Sequence, residues 1–429
     1  MGDVIEMSDS HKADAGISSD DQRKNACTMW CRKYFMAGQH VKQKQLEALK
    51  NLPPNAPWHQ RFLVVNRRFI GPAIPATFLC TCWLAFMIKK QLWHLFAEKY
   101  VMTIIMVFVS LFAGMTGISG GVMVFPVMTL ALEISPKTAR DFSILIQSFG
   151  LTAAMFTIKF MGFKVDKSAL IFCTLGGFGG VVVGLEVLDI HLSPPVKKFM
   201  FTSFCFSFGF ALFLLNRYRN RRTFTSVMFI NAWKAGVLFI TGFIGGIFTA
   251  IGGSGLDIMS FSIITLLFRV TEKTAAPSSV IVMAMNSLFT FFWRGVIQSD
   301  IPEDAWVYLL VCIPVVVCGA PIGSVIGSYL HRLVLACFIY VVTTAGLVAS
   351  FAIIPLTPIL IGLSVGVVIG GAIFYISVTL AGARLLIQTE RREQKEMVKQ
   401  QNNDLVSTEL QRYNAEIRDS GRDLDASRL

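Results

Sequence analysis

An all-α, polytopic transmembrane fold built from two inverted repeats with broken half-helices is predicted by three observations. The composition is too apolar for solution, long apolar runs follow one another, and glycine-rich motifs occur twice in the same order. Hydrophobic residues make up 54% of the 429-residue chain and charged residues 15%, against roughly 25% charged in a soluble domain. That leaves too little polar surface to keep the chain dissolved. With 36 Phe and 7 Trp it would collapse rather than stay disordered.

Residues 1–70 read as a cytoplasmic N-terminal segment, partly disordered. The first thirty are polar and acidic, with no cleavable signal peptide. A basic helix is expected over 31–51, stopped by Pro53 and Pro54. Cys27 and Cys31 read as two solvated thiols, because no second Cys or His pair stands at zinc-finger spacing; palmitoylation or a metal site is the alternative. The other seven cysteines lie in apolar runs, where a thiol acts as a small hydrophobe. Residues 71–99 hold an extra first span, at 71–88, and a loop. Further apolar runs cover about 100–114, 120–132, 140–160, 168–190, 196–215, 230–250, 254–268, 276–296, 306–330, 332–353 and 357–383. Those at 120–132 and 254–268 are shorter than the roughly 20 residues of a full crossing, so both are expected as broken or half-membrane helices. The last span lies within 355–386, and 387–429 forms a charged cytoplasmic tail, suited to a fraying helix or a weak coiled coil.

Twelve crossings would put both termini on one side together with the loop at 216–222. Four arginines in six residues of that loop make the side cytoplasmic, in a plasma or organelle membrane. Of the net charge of +12, the excess of +8 over residues 71–383 sits mostly in short loops that face lipid headgroups, so the bilayer and not nucleic acid is the expected partner.

The duplication has four landmarks in register. Gly117-Ile-Ser-Gly-Gly121 corresponds to Ala250-Ile-Gly-Gly-Ser254, and Pro136-Lys-Thr-Ala139 to Glu272-Lys-Thr-Ala275. Asp166 corresponds to Asp304, and the run from Gly176 to Gly180 to that from Gly319 to Gly323. The repeats are placed at 100–222 and 223–354. Five runs in each force the second copy to enter the membrane from the opposite face. This is the plan of secondary transporters, whose substrate site lies between the copies on interrupted helices.

The candidate substrate-binding residues are therefore those of the two breaks: Gly117, Ser119, Gly120 and Gly121 in the first, and Gly252, Gly253, Ser254 and Gly255 in the second. Glycine lets the backbone break and leaves N–H groups at the start of a half-helix, where they and the helix dipole attract an anion. The same glycines would also serve close helix packing.

Gly117-x-x-Gly120-Gly121 followed by Pro126, the partner Gly252-Gly253-Ser254, and the Lys-Thr-Ala opening the next helix in each half resemble the paired signature of the sulfite exporter TauE/SafE family of membrane permeases. The resemblance covers about residues 100–384. It implies passage of small sulfur-containing or organic anions, such as sulfite, sulfonates or thiosulfate, without ATP hydrolysis on the chain. Two departures stand out: Ser119 where a third glycine is common, and Met259 where the first copy has Pro126.

Gln147 and Asn286 are further candidates, as amide donors to an anion or as interhelical hydrogen-bonding groups. Asp257, in an apolar half-helix, calls for a partner, a wet cavity or a proton. It is the candidate for proton coupling, with pairing to Lys234 or Arg269 as the alternative. Lys137, Arg140, Lys273 and Arg294 are expected to snorkel from span ends. No catalytic, cofactor or metal site is predicted: the six histidines are scattered, and neither His-Glu-x-x-His nor a nucleotide-binding P-loop occurs. The functional expectation is a secondary transporter of small anions working by alternating access, with protons as a candidate coupling ion. An anion channel of the same architecture and a non-transporting membrane scaffold are the alternatives. Substrate, direction and oligomeric state are not legible.

Overall fold

The computed structural model describes residues 53, 57–217, 222–327, 330 and 332–426. Cys27, Cys31 and the basic segment at 31–51 lie outside these residues, as does most of the arginine-rich loop. Among the described residues, besides the three-residue helix Asp189–His191, twelve helices follow in order: α1 (Trp58–Lys90), α2 (His94–Thr116), α3 (Gly121–Pro126), α4 (Pro136–Met161), α5 (Lys167–Val183), α6 (Pro194–Arg217), α7 (Ala232–Gly252), α8 (Leu256–Leu266), α9 (Glu272–Phe292), α10 (Glu303–Gly327), α11 (Arg332–Ile353) and α12 (Pro358–Ala426). Single π turns extend α3 (Val127–Ala131), α5 (Gly184–Leu188) and α9 (Trp293–Ile297). Among the described residues ten helices are long and apolar enough to cross a membrane. The polytopic all-α fold expected from composition is the fold observed. The two short apolar helices are α3 with its π turn and α8, each about 16 Å long.

Local signals explain most boundaries. Ser135 caps α4 through its hydroxyl, with Pro136 at the first position. Asp166 caps α5 by accepting from the Ala169 N–H. Gly117, Gly162 and Gly253 end α2, α4 and α7 at positive φ, a conformation that needs no Cβ. α2 begins at His94 and kinks at Lys99, which leaves helical φ/ψ, so a separate helical stretch opens at residue 100.

The interior combines a large apolar core with many small hydroxyl residues, and the exterior is apolar too. Ser110, Ser143, Ser207, Thr249, Ser260 and Thr290 are buried, while Phe78, Phe108, Ile190 and Ile359 are exposed. That distribution suits a lipid surround, where association depends on close packing and hydrogen bonds. Glycine provides the closest contacts. A methyl group on Gly176 or Gly180 of α5 would overlap the carbonyls of Phe239 or Phe243 on α7, and one on Gly242 or Gly246 would overlap those of Cys173 or Gly177. Likewise, Gly323 of α10 faces the carbonyl of Leu111 on α2, and Gly114 of α2 that of Ala320. The two glycine runs matched in the sequence therefore do the same work at two different helix pairs.

Contacts give the helix directions. Ser110, Leu111 and Met115 meet Gly319, Gly323 and Gly327 in order, so α2 and α10 run parallel, as do α5 and α7. By contrast, Asp141 meets Arg294 and Ser148 meets Ser287, so α4 and α9 are antiparallel. The pairs Phe199–Phe351 and Asn216–Tyr340 make α6 and α11 antiparallel as well. α1 lies on α4 and α10, fixed by Trp83 Nε1 to Leu310 O at 2.7 Å and Arg67 Nη2 to Phe160 O at 2.6 Å. α12 runs beside α6, where Ser364 and Ser203 share a hydrogen bond of 2.7 Å.

Gly180→Ala should lower stability by about 1–3 kcal/mol, because the added methyl has no room without backbone displacement. Gly366→Ala, with nothing within 4 Å of the new atom, should be neutral or stabilising by up to about 1 kcal/mol. Thermal unfolding of both variants in detergent tests this, and equal midpoints would contradict the packing role.

Candidate functional site

The two chain breaks meet. α2 ends at Thr116 and α3 starts at Gly121; α7 ends at Gly252 and α8 starts at Leu256. Ser119, from the first connection, and Ser254, from the second, share a hydroxyl–hydroxyl hydrogen bond of 2.6 Å. Asp257, in the first turn of α8 and 3% exposed, accepts from the Ser119 backbone N–H at 3.0 Å and from the Ser254 hydroxyl at 3.2 Å. One carboxylate thus binds both breaks. Its position in the first turn of α8 also places negative charge at the positive end of the helix dipole.

Gly121 and Gly253 permit this approach. A Cβ on Gly121 would lie 2.6 Å from that of Ser254 and 2.7 Å from Gln147 Nε2. One on Gly253 would lie 2.6 Å from Ser143 Cβ and 2.8 Å from the Arg140 carbonyl oxygen. Gly255 packs against Phe248, and Gly252 against the Phe201 ring. Gly120 is roomier, with Val109 Cγ1 at 3.3 Å, and Gly117 has nothing within 4 Å; its contribution is the turn itself.

Gln147 reaches the second break from α4, but its amide hydrogens are already engaged. Nε2 donates to Gly253 O at 2.8 Å and to the carbonyl and hydroxyl of Ser143. What it leaves unpartnered among the described residues is Oε1, an acceptor. Asn286 differs: it is 0% exposed, and neither amide atom has a hydrogen-bond partner among the described residues. It lies behind Gly177, whose Cβ position is 3.0 Å from Asn286 Oδ1 and 2.7 Å from Leu256 Cδ2, at the start of α8. Ser287 Oγ, next in the chain, is likewise unpartnered among these residues. A buried amide group with both functions unmet is costly.

Three expectations are corrected. Asp257 takes its hydrogen bonds from Ser119 and Ser254, and neither Lys234 nor Arg269 is its base: Lys234 Nζ donates to Met228 O. Arg140 and Arg294 do not snorkel; they are 1% and 4% exposed and bracket Asp141. The Lys137 side chain, by contrast, is exposed and reaches the exposed Asp300 at 2.7 Å, as a snorkelling side chain does. The matched pair Asp166 and Asp304 also diverges, since Asp166 is buried and accepts from the Val227 N–H, whereas Asp304 is exposed. Sequence reasoning missed Ser143 and Asp141. The signal for Asp141 was a second charged residue beside Arg140 at the head of an apolar run.

The family model described as Sulfite exporter TauE/SafE matches residues 102–349. A "Probable membrane transporter protein YunE" of Bacillus subtilis (strain 168) is 28% identical over 258 residues, covering 53% of this chain and 88% of that protein. No solved structure gives a significant match. With the match spanning more than half of its length and ten apolar helices to cross a bilayer, this chain belongs to the sulfite exporter TauE/SafE family of membrane transporters.

Proposed function

We propose that the chain is a secondary transporter of small anions, sulfur-containing ones foremost, working by alternating access around the paired breaks. The observation that carries this reading is the direct contact of the two breaks through Ser119, Ser254 and Asp257. The halves at 100–222 and 223–354 act as inverted repeats in this reading. In support, the corresponding helices α4 and α9, and α6 and α11, run antiparallel, while the crossed pairs α2 with α10 and α5 with α7 run parallel. Spans 71–99 and 355–386 flank them, and both tails lie on the cytoplasmic side with the arginine-rich loop.

Asp257 occupies the donors that an oxyanion would use. Substrate and carboxylate compete for the Ser119 N–H and the Ser254 hydroxyl, and a proton on Asp257 removes the competing charge. An anion would then be bound with a proton, the amide of Asn286 supplying another donor. The glycine-sealed pairs α2 with α10 and α5 with α7 move as units, because separating them would expose backbone polar groups to a medium without water.

Reconstituted full-length protein should take up labelled sulfite or thiosulfate saturably and show counterflow; ohmic single-channel current instead would overturn the carrier reading. Gly121→Ala should reduce flux at least about tenfold, as its methyl forces the breaks apart. Asp257→Asn should abolish the response of uptake to a pH gradient while sparing anion exchange; an unchanged pH profile would remove Asp257 from the coupling.

A further inference from the structure

One end of the bundle, where α4, α6 and α10 begin and α5 and α9 finish, carries a buried charged cluster that the paired breaks do not use. Asp141 lies between two guanidinium groups. Arg140 Nε donates to Oδ1 at 2.9 Å; Arg294 Nε donates to the same oxygen at 3.0 Å, and its Nη2 to Oδ2 at 2.5 Å. Arg140 Nη1 continues to Asp189 at 2.6 Å, which Lys197 also pairs. Arg294 continues to the Asp300 carbonyl and to Gln298 Oε1, both at 2.6 Å. At the exposed rim the Lys137 ammonium, hydrogen-bonded to Asp300, holds that carboxyl below its ordinary range. The side chains of Arg140 and Asp141 are 1% and 0% exposed, and Arg140 Nη2 has no hydrogen-bond partner among the described residues.

Stability alone is a poor reason for such a cluster, since well-packed apolar residues would hold the fold as well as buried ions do. Its placement gives a better one. It ties α4 and α6, from the first half, to the end of α9, from the second. It also abuts the second break: Arg140 Nη1 lies 3.4 Å from Ala250 O, and the Arg140 carbonyl faces Gly253. All three π turns finish helices at this same end, and those of α5 and α9 lead into Asp189 and carry Arg294. A π turn is a local, adjustable departure from helix geometry.

We propose that Arg140 and Arg294 form an anion station on the route to the paired breaks, closed in this structure by Asp141. Opening draws the end of α9 away from the start of α4, and the guanidinium groups exchange the Asp141 carboxylate for an incoming oxyanion. The ligand class is a small anion with at least two oxygens on one centre, the geometry that a guanidinium fork matches and a halide does not. The inference rests on the transporter reading of the breaks and adds the gate to it.

The test places a reporter beneath the cluster. Ser143, one turn deeper on α4 and buried, is replaced as Ser143→Cys in the full chain. The reconstituted protein is exposed to a membrane-impermeant maleimide, and modification is resolved by mass spectrometry. Adding Asp141→Asn should raise the labelling rate at least about tenfold, because a buried ion cluster loses its central partner. Sulfite should accelerate labelling in the Ser143→Cys protein, and chloride at equal concentration should not. Where Asp141→Asn fails to fold, Asp300→Asn at the exposed rim should give a smaller rise. Unchanged labelling with both substitutions, or equal acceleration by chloride, overturns the station. Labelled-sulfite flux separates the two readings: flux without any labelling response sinks the gate alone, and a labelling response without flux sinks the transporter reading while the gate stands.

Discussion

The structure depends on a carboxylate that bridges two interruptions of the backbone. Breaking a helix inside an apolar surround exposes N–H and C=O groups that lipid cannot satisfy, each at a cost of several kcal/mol. Two such breaks in one chain would be doubly costly if kept apart. Brought together, they share a solution: Asp257 takes the Ser119 N–H and the Ser254 hydroxyl, Ser119 and Ser254 bond each other, and Gln147 takes the Gly253 carbonyl. The glycines follow from this, because Gly121 and Gly253 are where a side chain would keep the breaks from meeting.

The same constraint explains the helix packing. The contacts of α5 with α7 and of α2 with α10 are made through glycines against carbonyl oxygens, so the backbones set the spacing and the side chains contribute little. Each pair takes one helix from either half of the sequence. Motion that keeps these pairs intact falls on the side-chain contacts of α4 with α9, made by the Arg294–Asp141 pair and by Ser148, and of α6 with α11, made by Ser, Thr and Phe side chains. In the proposed alternating-access cycle the moving bodies would be mixed bundles rather than the linear halves of the chain.

Much of this was legible because the informative residues act locally. A glycine that ends a helix at positive φ, or a run too short to cross, leaves its mark within a few positions, so both breaks and both short helices could be read directly. Their contact was expected from the duplication alone. Charged residues were harder to read. Arg140 and Arg294 stand near span ends, where a long basic side chain ordinarily turns toward headgroups; that both turn inward depends on Asp141, which is 153 positions from Arg294. Asp257 looked for a base among neighbours on its own side of the chain, while its partner was a backbone N–H 138 positions away. Gln147 was read as a donor by residue type, and only the fold shows its hydrogens already engaged.

The two ends of the bundle close by different chemistry, although a duplicated chain could have closed both alike. Aligned on the shared Lys-Thr-Ala, Arg140 and Asp141 correspond to Ala276 and Pro277, so these two charges are not repeated in the second motif. At the opposite end Phe224 pairs with Arg269 and Thr271 through the main chain, the buried Asp166 carboxylate accepts from the Val227 N–H, and the Asp166 N–H donates to the Ser278 hydroxyl. Backbone hydrogen bonds hold a fixed geometry and give an ion nothing to exchange with. An ion cluster offers an anion a ready alternative, since its guanidinium groups can trade one carboxylate for another oxyanion without becoming unpaired. Where the start of α4 meets the end of α9, the proposed station would therefore let a negative solute lower the cost of opening.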